Sequence, residues 1–344
     1  MDPNKTNNYP ENLQRFIDPL EIKKRILKQA ALEIKGMSAS CSWKGIVYYR
    51  QLGAILRSRQ LSIMQRLAHA GYMFARIAGL VHEDTPELLQ LQAPCPTDEQ
   101  QMRLFGEIIK PHAKIAVILH LFYPELWEEI ADNLDHISRP FDLYISIPYE
   151  KQAFIPTLRQ CYPQAHIYTC HNRGRDVAPF IEIYSAIVDA GYNSICKVHS
   201  KKSPHLVEGE QWRRSLLNEL IGSPQRVEAV INLFEQYQEI GMLAPQGYLY
   251  SALDANTMGN LAYMERLSKL LRIPLRGFEF EYPAGSMFWC RVESFRKLAQ
   301  SGLQARNFPS EHGQLNNTPA HAIERFWGLM IIDAGKFVVD TSVL

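Results

Sequence analysis

Short apolar runs of strand length alternate with helix-length segments between residues 114 and 199, and this alternation limits the folds open to the chain. Such apolar runs indicate buried strands, and apolar residues at helical spacing between them indicate helices that pack on a sheet. Strands joined by helices of this length form βαβ units with right-handed crossovers. The sequence therefore predicts an α/β fold with a mostly parallel sheet.

The predicted elements continue beyond residue 199 in a less regular order. The predicted strands are residues 114–120, 141–147, 166–170, 194–196, 241–244 and 286–291. The predicted helices are residues 124–134, 151–161, 210–220, 224–240, 256–271 and 320–334, with a further helix that Asp176 caps and Gly191 ends. No internal repeat accompanies them, so a repeat architecture is not expected.

A proline-rich polar stretch over residues 84–100 marks a boundary upstream of this pattern. It contains Pro86, Pro94 and Pro96. We therefore predict two regions, an N-terminal helical extension over residues 1–100 and an α/β domain over residues 101–344.

The composition is that of a soluble globular protein, with 46% hydrophobic residues among 344. Its six cysteines form no Cys-x-x-Cys pair, so neither a zinc ribbon nor a disulfide framework is indicated and a reducing compartment is expected. The first residues lack the apolar core of a signal peptide, and no run approaches the roughly 18–20 apolar residues that span a bilayer. We expect a cytoplasmic protein.

The predicted extension is strongly basic. Residues 34–82 contain seven Lys or Arg residues and no Asp or Glu, interleaved with large apolar side chains. Amphipathic helices that lie on anionic membranes have this composition, and so do ordinary helices that pack on a domain. A peripheral location on the inner face of the plasma membrane and simple packing on the domain therefore both stay open. Nothing in the chain resembles a nucleic-acid-binding motif, so no nucleic-acid partner is expected.

Two polar blocks follow predicted strands, at residues 171–176 and 197–203. Ligands bind parallel sheets in the crevice at the carboxyl ends of the strands. Arginine grips phosphate oxygens with two hydrogen bonds, while lysines, hydroxyls, amides and glycine N–H groups supply further donors. A solvated basic surface would explain either block alone. Together they predict a phosphate-bearing ligand, with these candidate binding residues: Asn172, Gly174, Arg175, Asp176, His199, Lys201 and Ser203.

The common nucleotide and hydrolase motifs are missing. The chain has no Gly-x-x-x-x-Gly-Lys-[Ser/Thr] loop, no Gly-x-Gly-x-x-Gly after the first strand and no Gly-x-Ser-x-Gly turn. Kinase, dehydrogenase and serine-hydrolase chemistry therefore lose support. The cationic and amide-rich loops suit binding of a diphosphate and stabilisation of its charge as it leaves.

Carboxylates and histidines gather around the start of the last predicted helix. His321 and Arg325 share one helical face, and Glu324 lies beside them. A carboxylate or histidine beside a cation can accept a proton, although such groupings also occur on exposed helices without a chemical role. We predict His321 and Glu324 as candidate catalytic residues and Arg325 as a candidate ligand-binding residue.

Aromatic residues mixed with carboxylates occupy residues 277–289. Aromatic faces bind sugar rings by stacking, and nearby polar groups bind the hydroxyls. A buried strand with core aromatics is the alternative. We predict Gly285, Met287 and Trp289 as candidate glycan-binding residues.

Taken together, these segments resemble the rhamnan synthesis protein F family, which contains polysaccharide rhamnosyltransferases of bacterial cell-wall and O-antigen assembly. The resemblance covers about residues 112–340 and depends on the joint order of its motifs. The segments that carry it are residues 119–123 (LHLFY), 141–146 (FDLYIS), 172–180 (NRGRDVAPF), 197–203 (KVHSKKS), 284–289 (AGSMFW) and 321–325 (HAIER).

The resemblance implies an inverting glycosyltransferase with a GT-A-like catalytic domain over residues 101–344. It implies transfer of a sugar from a nucleotide-diphospho-sugar, such as dTDP-rhamnose, to a lipid-linked glycan of lipopolysaccharide or another polysaccharide. By analogy with GT-A enzymes, Glu311 would deprotonate the acceptor hydroxyl. The residues implied to hold the donor diphosphate are Asn172, Arg175, His199 and Lys201.

The chain departs from the family pattern in one segment. Where the family usually has Asp-Gly-Thr, this chain has Asn316-Asn317-Thr318, which removes a carboxylate. That loss favours the competing hypothesis of a non-catalytic glycan-binding or assembly protein; transfer of another hexose is a weaker alternative.

Where GT-A enzymes usually place an Asp-x-Asp metal ligand, this chain has Lys197 and His199, so we predict no metal site, with a divalent cation as the less favoured alternative. No tightly bound cofactor is expected.

Overall fold

The computed structural model describes residues 12–13, 111–200, 209–252, 260–275, 280–311, 313–314 and 316–344. Within these residues the chain forms a mixed α/β structure around a seven-stranded, mostly parallel sheet, and this confirms the α/β part of the prediction. The predicted extension over residues 1–100 lies outside the described residues except for Asn12 and Leu13.

The sheet is mostly parallel. Its spatial order is β3-β2-β1-β4-β8-β5-β9, and β8 alone runs against its neighbours β4 and β5. A separate two-stranded antiparallel ribbon joins β6 and β7. The strands are β1 (Ile115–His120), β2 (Phe141–Pro148), β3 (His166–Cys170), β4 (Ser194–His199), β5 (Ile240–Ala244), β6 (Leu249–Ser251), β7 (Glu281–Pro283), β8 (Phe288–Arg291) and β9 (Phe337–Asp340).

Helices cover both faces of the sheet, which explains why β1 and β4 are buried at every position. Two helices begin with a side-chain cap followed by proline: Ser223 accepts from the N–H of Arg226, and Thr318 accepts from that of His321. The helices are α1 (Trp127–Leu134), α2 (Ile155–Cys161), α3 (Val177–Ile187), α4 (Gly209–Ile221), α5 (Pro224–Gln236), α6 (Leu261–Leu271), α7 (Arg296–Ala299) and α8 (Pro319–Asp333).

The structure differs from the predicted elements in several places. The predicted helix over residues 224–240 ends at Gln236, and Ile240 already belongs to β5. The predicted helix over residues 151–161 begins as a 3₁₀ helix at Tyr149–Phe154, and α2 starts where Pro156 fits the first turn. The predicted strand over residues 286–291 starts at Phe288, because residues 284–287 form a turn. The strands β6, β7 and β9, of three or four residues each, are too short for a periodic signal.

Two hydrophobic clusters, one on each face, hold these layers together. Leu13 is 1% exposed and belongs to the cluster that contains Phe337 and Val339 of β9, while the amide of Asn12 donates to the carbonyl of Val343 at 2.7 Å. These contacts fix a point of the N-terminal region against the C-terminal end of the described chain. None of the helices in the described residues has the length and hydropathy needed to cross a bilayer.

Candidate functional site

The loop between β3 and α3 begins the site at the carboxyl edge of the sheet. Gly174 and Arg175 both adopt left-handed backbone angles, with φ of 64° and 56°. A Cβ atom on Gly174 would lie 2.6 Å from Cβ of Ala178 and 2.7 Å from the Phe308 ring. The loop therefore requires glycine at residue 174, both for its backbone angle and for its close packing.

A second loop, whose described residues include 308–311, is held against the first. Arg173 and Ser310 form an isolated antiparallel bridge, and the guanidinium of Arg173 donates to the carbonyl of Phe308 at 3.0 Å. The N–H of Glu311 donates to the carbonyl of Asn172 at 3.4 Å. These contacts fix the two loops to each other, although 130 or more residues separate them in sequence.

Glu311 lies beside Arg175 as a result. Nε of Arg175 is 3.3 Å from Oε2 of Glu311, and the same guanidinium donates to the carbonyl of Gln314. Burial raises the pKa of the Glu311 carboxyl above its ordinary value, and Asp176 adds to this, while Arg175 and the N–H of Gly174 act in the opposite direction. A carboxylate with a raised pKa is suited to accept a proton near neutral pH.

Lys197 and Asp176 form a buried ion pair close to the Glu311 carboxylate. The ammonium of Lys197, on β4, donates to Oδ2 of Asp176 and to the carbonyl of Ser286 at 2.6 Å. The side chains of Lys197 and Asp176 are 2% and 13% exposed. The ammonium also lies 5.5 Å and 5.8 Å from the ring centres of Phe180 and Phe288. Lys197 thus joins β4 to the start of α3 and to the turn before β8.

The charge of Asp176 is stabilised by its neighbours. Burial alone would raise the pKa of its carboxyl, but His199 and Lys197 together lower it well below the ordinary value. Asp176 occupies the predicted N-cap position of α3, yet its side chain makes no cap hydrogen bond. The ion pair with Lys197 replaces the predicted cap.

His199 and Glu324 fix the Gly285–Ser286 turn from two sides. Nε2 of His199 lies 2.8 Å from the carbonyl of Gly285, so this nitrogen carries a proton and donates it. The N–H of Gly285 donates to Oε1 of Glu324 at 2.9 Å. Gly285 and Ser286 have left-handed φ angles of 95° and 56°, and Trp327 donates to the Ser286 hydroxyl at 2.8 Å. The turn is therefore held by β4 and α8 together.

The three predicted residues of α8, His321, Glu324 and Arg325, make hydrogen bonds to other groups of the protein. Arg325 donates to Oε2 of Glu324 at 2.6 Å and to the carbonyl of His321 at 3.2 Å, and its guanidinium lies 5.0 Å from the Tyr282 ring centre. Nδ1 of His321 lies 2.7 Å from the Thr318 hydroxyl. Both oxygens of Glu324 are thus engaged.

His120, the last residue of β1, completes the polar edge. It is the register partner of His199 on β4 and is 7% exposed. Nδ1 lies 2.9 Å from the Ser146 hydroxyl. Burial lowers the pKa of its imidazole to about 3, and the positive charges of His199 and Lys197 act in the same direction against Asp176.

Most of the predicted site residues belong to one network of contacts. Asp176 connects the first loop to Lys197 and His199, and these two residues connect it to the turn that Glu324 holds. In the described part of the chain, Asn172 joins this network through its backbone carbonyl. Lys201 and Ser203 lie outside the described residues. The assigned roles of all these residues in binding or catalysis stay predictions.

The predicted glycan-binding residues need correction. Met287 and Trp289 are 0% exposed and belong to the hydrophobic cluster beneath α4, where the indole N–H of Trp289 donates to the carbonyl of Leu220 at 3.1 Å. Gly285 uses both of its backbone groups within the turn. The core alternative therefore describes Met287 and Trp289, because neither side chain has surface left for a ligand.

Sequence reasoning assigned no site role to Lys197 as an ion-pair partner, to His120 or to Ser286. Lys197 and His199 are two residues apart, so strand periodicity places them on one face and could have grouped them. The register that sets His120 beside His199 has no local signal.

Comparisons with known proteins extend these observations. The family model described as rhamnan synthesis protein F matches residues 77–336, and so begins upstream of the motifs. Two curated relatives, the uncharacterized protein WxcX of Xanthomonas campestris pv. campestris strains B100 and ATCC 33913, are each 33% identical over 240 residues. The matched part is 69% of this chain and 34% of each relative, so the chain spans about a third of their length. The crystal structure of S. aureus TarS 1–349 is similar with a TM-score of 0.36 and 9% identity, over 65% of this chain and 57% of that chain.

Proposed function

The chain belongs to the rhamnan synthesis protein F family, and from this premise we propose that it is a polysaccharide glycosyltransferase with a GT-A-like domain. The proposed donor is a nucleotide-diphospho-sugar, dTDP-rhamnose in the first instance, and the proposed acceptor is a lipid-linked glycan. The proposed location is the cytoplasmic face of the membrane. Family membership supports a role in polysaccharide synthesis, and the carboxyl edge of the sheet supports the position of the site.

The observation that carries this proposal is the convergence of Glu311 and Arg175. Two loops that are distant in sequence are bridged so that a carboxylate whose side chain is 11% exposed lies 3.3 Å from a guanidinium. Transfer of a sugar with inversion needs a base for the acceptor hydroxyl and positive charge near the departing diphosphate. In the proposed mechanism Glu311 takes the acceptor proton, the acceptor oxygen forms the new bond to the anomeric carbon, and the bond to the diphosphate breaks with its electron pair.

In this proposal several groups stabilise the negative charge of the departing diphosphate. Arg175 is 35% exposed, so its guanidinium can reach a ligand while Glu311 and Gln314 orient it. Asn172, His199 and Lys201 are the further proposed contacts of the diphosphate, with the N–H of Gly174 as a backbone donor. The Lys197 ammonium is too deeply buried to contact the nucleotide-sugar donor. It affects the electrostatic potential around the donor through its ion pair with Asp176.

The residues at this edge fit a divalent metal poorly. Mg²⁺ and Mn²⁺ take hard oxygen ligands, mostly carboxylates. The Asp176 carboxylate contacts β4, and the Lys197 ammonium already occupies its Oδ2. In the described part of the chain no three His, Cys, Asp or Glu side chains group as metal ligands would. We therefore derive no step through a metal and assign the charge stabilisation to the cations.

A non-catalytic glycan-binding or assembly role is the second candidate, and Asn316 favours it. The side chain of Asn316 accepts a hydrogen bond from the Asn260 amide at 2.7 Å, which is a neutral contact at the start of α6. An aspartate there would place a negative charge in the same loop as Glu311. If the family's carboxylate is essential to turnover, this chain binds glycans without transferring sugar.

Release of nucleoside diphosphate from a panel of sugar nucleotides separates the two candidates. The purified chain is incubated with each nucleotide sugar, with and without a lipid-linked glycan acceptor. We expect release from one donor, stimulated by acceptor. Glycan binding without release from any donor would support the second candidate instead.

Donor binding is tested by calorimetry with the nucleoside diphosphate. Arg175→Ala and Lys201→Ala should each weaken binding by about 1.5–3 kcal/mol, the scale of a hydrogen bond to a charged group. Arg139→Ala is the control, because this arginine pairs with Glu228 on the surface at the opposite edge of the sheet. Unchanged affinity in both site variants would place the diphosphate elsewhere.

A further inference from the structure

Tyr149 and His171 form an exposed aromatic pair at the carboxyl edge of the sheet. The register of β2 and β3 pairs Pro148 with Cys170, and each aromatic residue follows directly after one of these partners. The two ring centres are 4.9 Å apart, and the ring planes are inclined by 57°. The strand register thus brings two rings together at the point where both strands end.

The pair offers aromatic surface to a ligand. Tyr149 is 36% exposed, and His171 is exposed as well. In the described part of the chain the exposed large apolar side chains are Tyr149, Tyr250 and Leu344. Because the planes are inclined, the two rings do not cover each other face to face. A flat ligand can therefore stack on this surface.

The pair adjoins the loop that is proposed to hold the donor diphosphate. His171 is the first residue of that loop, and its carbonyl accepts from the N–H of Arg173 at 2.8 Å. Arg175, a proposed diphosphate contact, belongs to the same loop and lies 3.3 Å from Glu311. Ligands bind parallel sheets at the carboxyl ends of the strands, where this pair lies. A ligand bound at Arg175 therefore has an aromatic surface beside it.

A nucleotide sugar has one component that suits this surface. Its sugar must lie at Glu311, because the acceptor attacks the anomeric carbon beside the proposed base. Its nucleoside occupies the opposite end of the diphosphate. Nucleobases stack on tyrosine and histidine side chains in proteins, and each base has a flat π face for this contact. Sugar rings also stack on aromatic side chains, so the acceptor glycan is the competing occupant.

We propose that the Tyr149–His171 pair is a platform on which the nucleobase of the donor stacks. This inference rests on the proposed function, and it names the part of the donor that these two residues bind. The platform distinguishes a nucleoside diphosphate from inorganic pyrophosphate, which has the phosphate groups without a base.

The test compares the binding of dTDP and of inorganic pyrophosphate by calorimetry. Tyr149→Ala removes the ring, whereas Tyr149→Phe keeps the ring and removes only the hydroxyl. Tyr250→Ala is the matched control, because Tyr250 is a 43% exposed tyrosine on the β6–β7 ribbon, outside the platform. If the donor panel identifies another nucleotide, its diphosphate replaces dTDP.

We expect Tyr149→Ala to weaken dTDP binding about 5- to 100-fold, the range of base–aromatic stacking, and to leave pyrophosphate binding unchanged. His171→Ala should weaken dTDP binding selectively too. Tyr149→Phe and Tyr250→Ala should bind both ligands as the native protein does. Unchanged pyrophosphate binding also shows that Tyr149→Ala is folded and keeps its phosphate contacts.

Other outcomes overturn one hypothesis or both. If the native protein binds dTDP but Tyr149→Ala weakens both ligands equally, or neither, the platform is refuted and the proposed function stands. If Tyr149→Ala raises only the KM of the glycan acceptor, the pair binds glycan and the nucleobase contact is wrong. If the native protein binds no nucleotide of the panel, the proposed function fails and the platform fails with it.

Discussion

Replacing Lys197 with methionine should destabilise the protein strongly, because it breaks the buried ion pair on one side. The Lys197 side chain is 2% exposed and that of Asp176 is 13% exposed, so water cannot take over the lost contact. Removal of one partner of a buried pair costs about 3–5 kcal/mol, mainly because a charge stays buried without compensation. The variant also removes the donor to the carbonyl of Ser286.

The double variant Lys197→Met with Asp176→Asn separates the charge from the packing. It removes both charges, so it should recover at least about 2 kcal/mol of the loss in Lys197→Met. Some loss remains because the Ser286 carbonyl still lacks a donor. The surface variant Arg139→Met, which breaks an exposed pair with Glu228, should leave the unfolding midpoint unchanged.

Urea unfolding measures these free energies, with fluorescence of the buried Trp289 and Trp327 as the signal. The reasoning is refuted if Lys197→Met loses less than about 1 kcal/mol, or if the double variant is no more stable than the single one. The pH dependence gives a second check. The folded pKa of Asp176 is lowered, so the stability it contributes is present above its unfolded value of about 3.9 and is lost as pH falls below that value. Lys197→Met should therefore lose less stability than the native protein between pH 4 and pH 2.

Three further predictions concern chemistry and location. Glu311→Gln should keep donor binding and lower turnover about 10²- to 10⁴-fold, because it removes the proposed base; near-normal turnover in this variant, with loss in Glu324→Gln, would place the base on α8. Transfer in excess EDTA should retain at least about a third of its rate with Mg²⁺, since cations stabilise the diphosphate; loss on chelation and recovery with metal would refute this. Sedimentation with anionic vesicles should fall steeply with salt and require residues 34–82, so equal pelleting without that stretch would exclude a role for it.

The sequence predicted the sheet well where each strand carries its own signal. The strands β1 to β4 are mostly apolar runs of strand length, and this local pattern suffices because both faces of the sheet are covered. The same pattern placed residues 171–176 and His199 at the carboxyl edge. The reversed direction of β8 has no such signal, since it depends on pairing with β4 and β5, which lie far away in sequence.

Side-chain partners were less predictable, because tertiary contacts overrode local preference. The helix-start pattern predicted a capping role for Asp176, but the carboxylate binds Lys197 on β4, 21 residues away. Strand periodicity placed Met287 and Trp289 on one face without indicating that α4 covers it. Aromatic composition therefore suggested a glycan surface where the structure has core.

The contacts of Glu311 and Glu324 favour Glu311 as the proposed base, a choice that the sequence left open. Oε1 of Glu324 accepts from the N–H of Gly285 and Oε2 accepts from Arg325, so protonation of Glu324 would cost one of these bonds and loosen the turn. Glu311 has one oxygen beside Arg175 at 3.3 Å, and burial raises its pKa. A base must bind a proton and release it in each cycle, and Glu311 can do so without disturbing the Gly285–Ser286 turn. Glu324 holds that turn, and Lys197 and His199 connect the turn to Asp176.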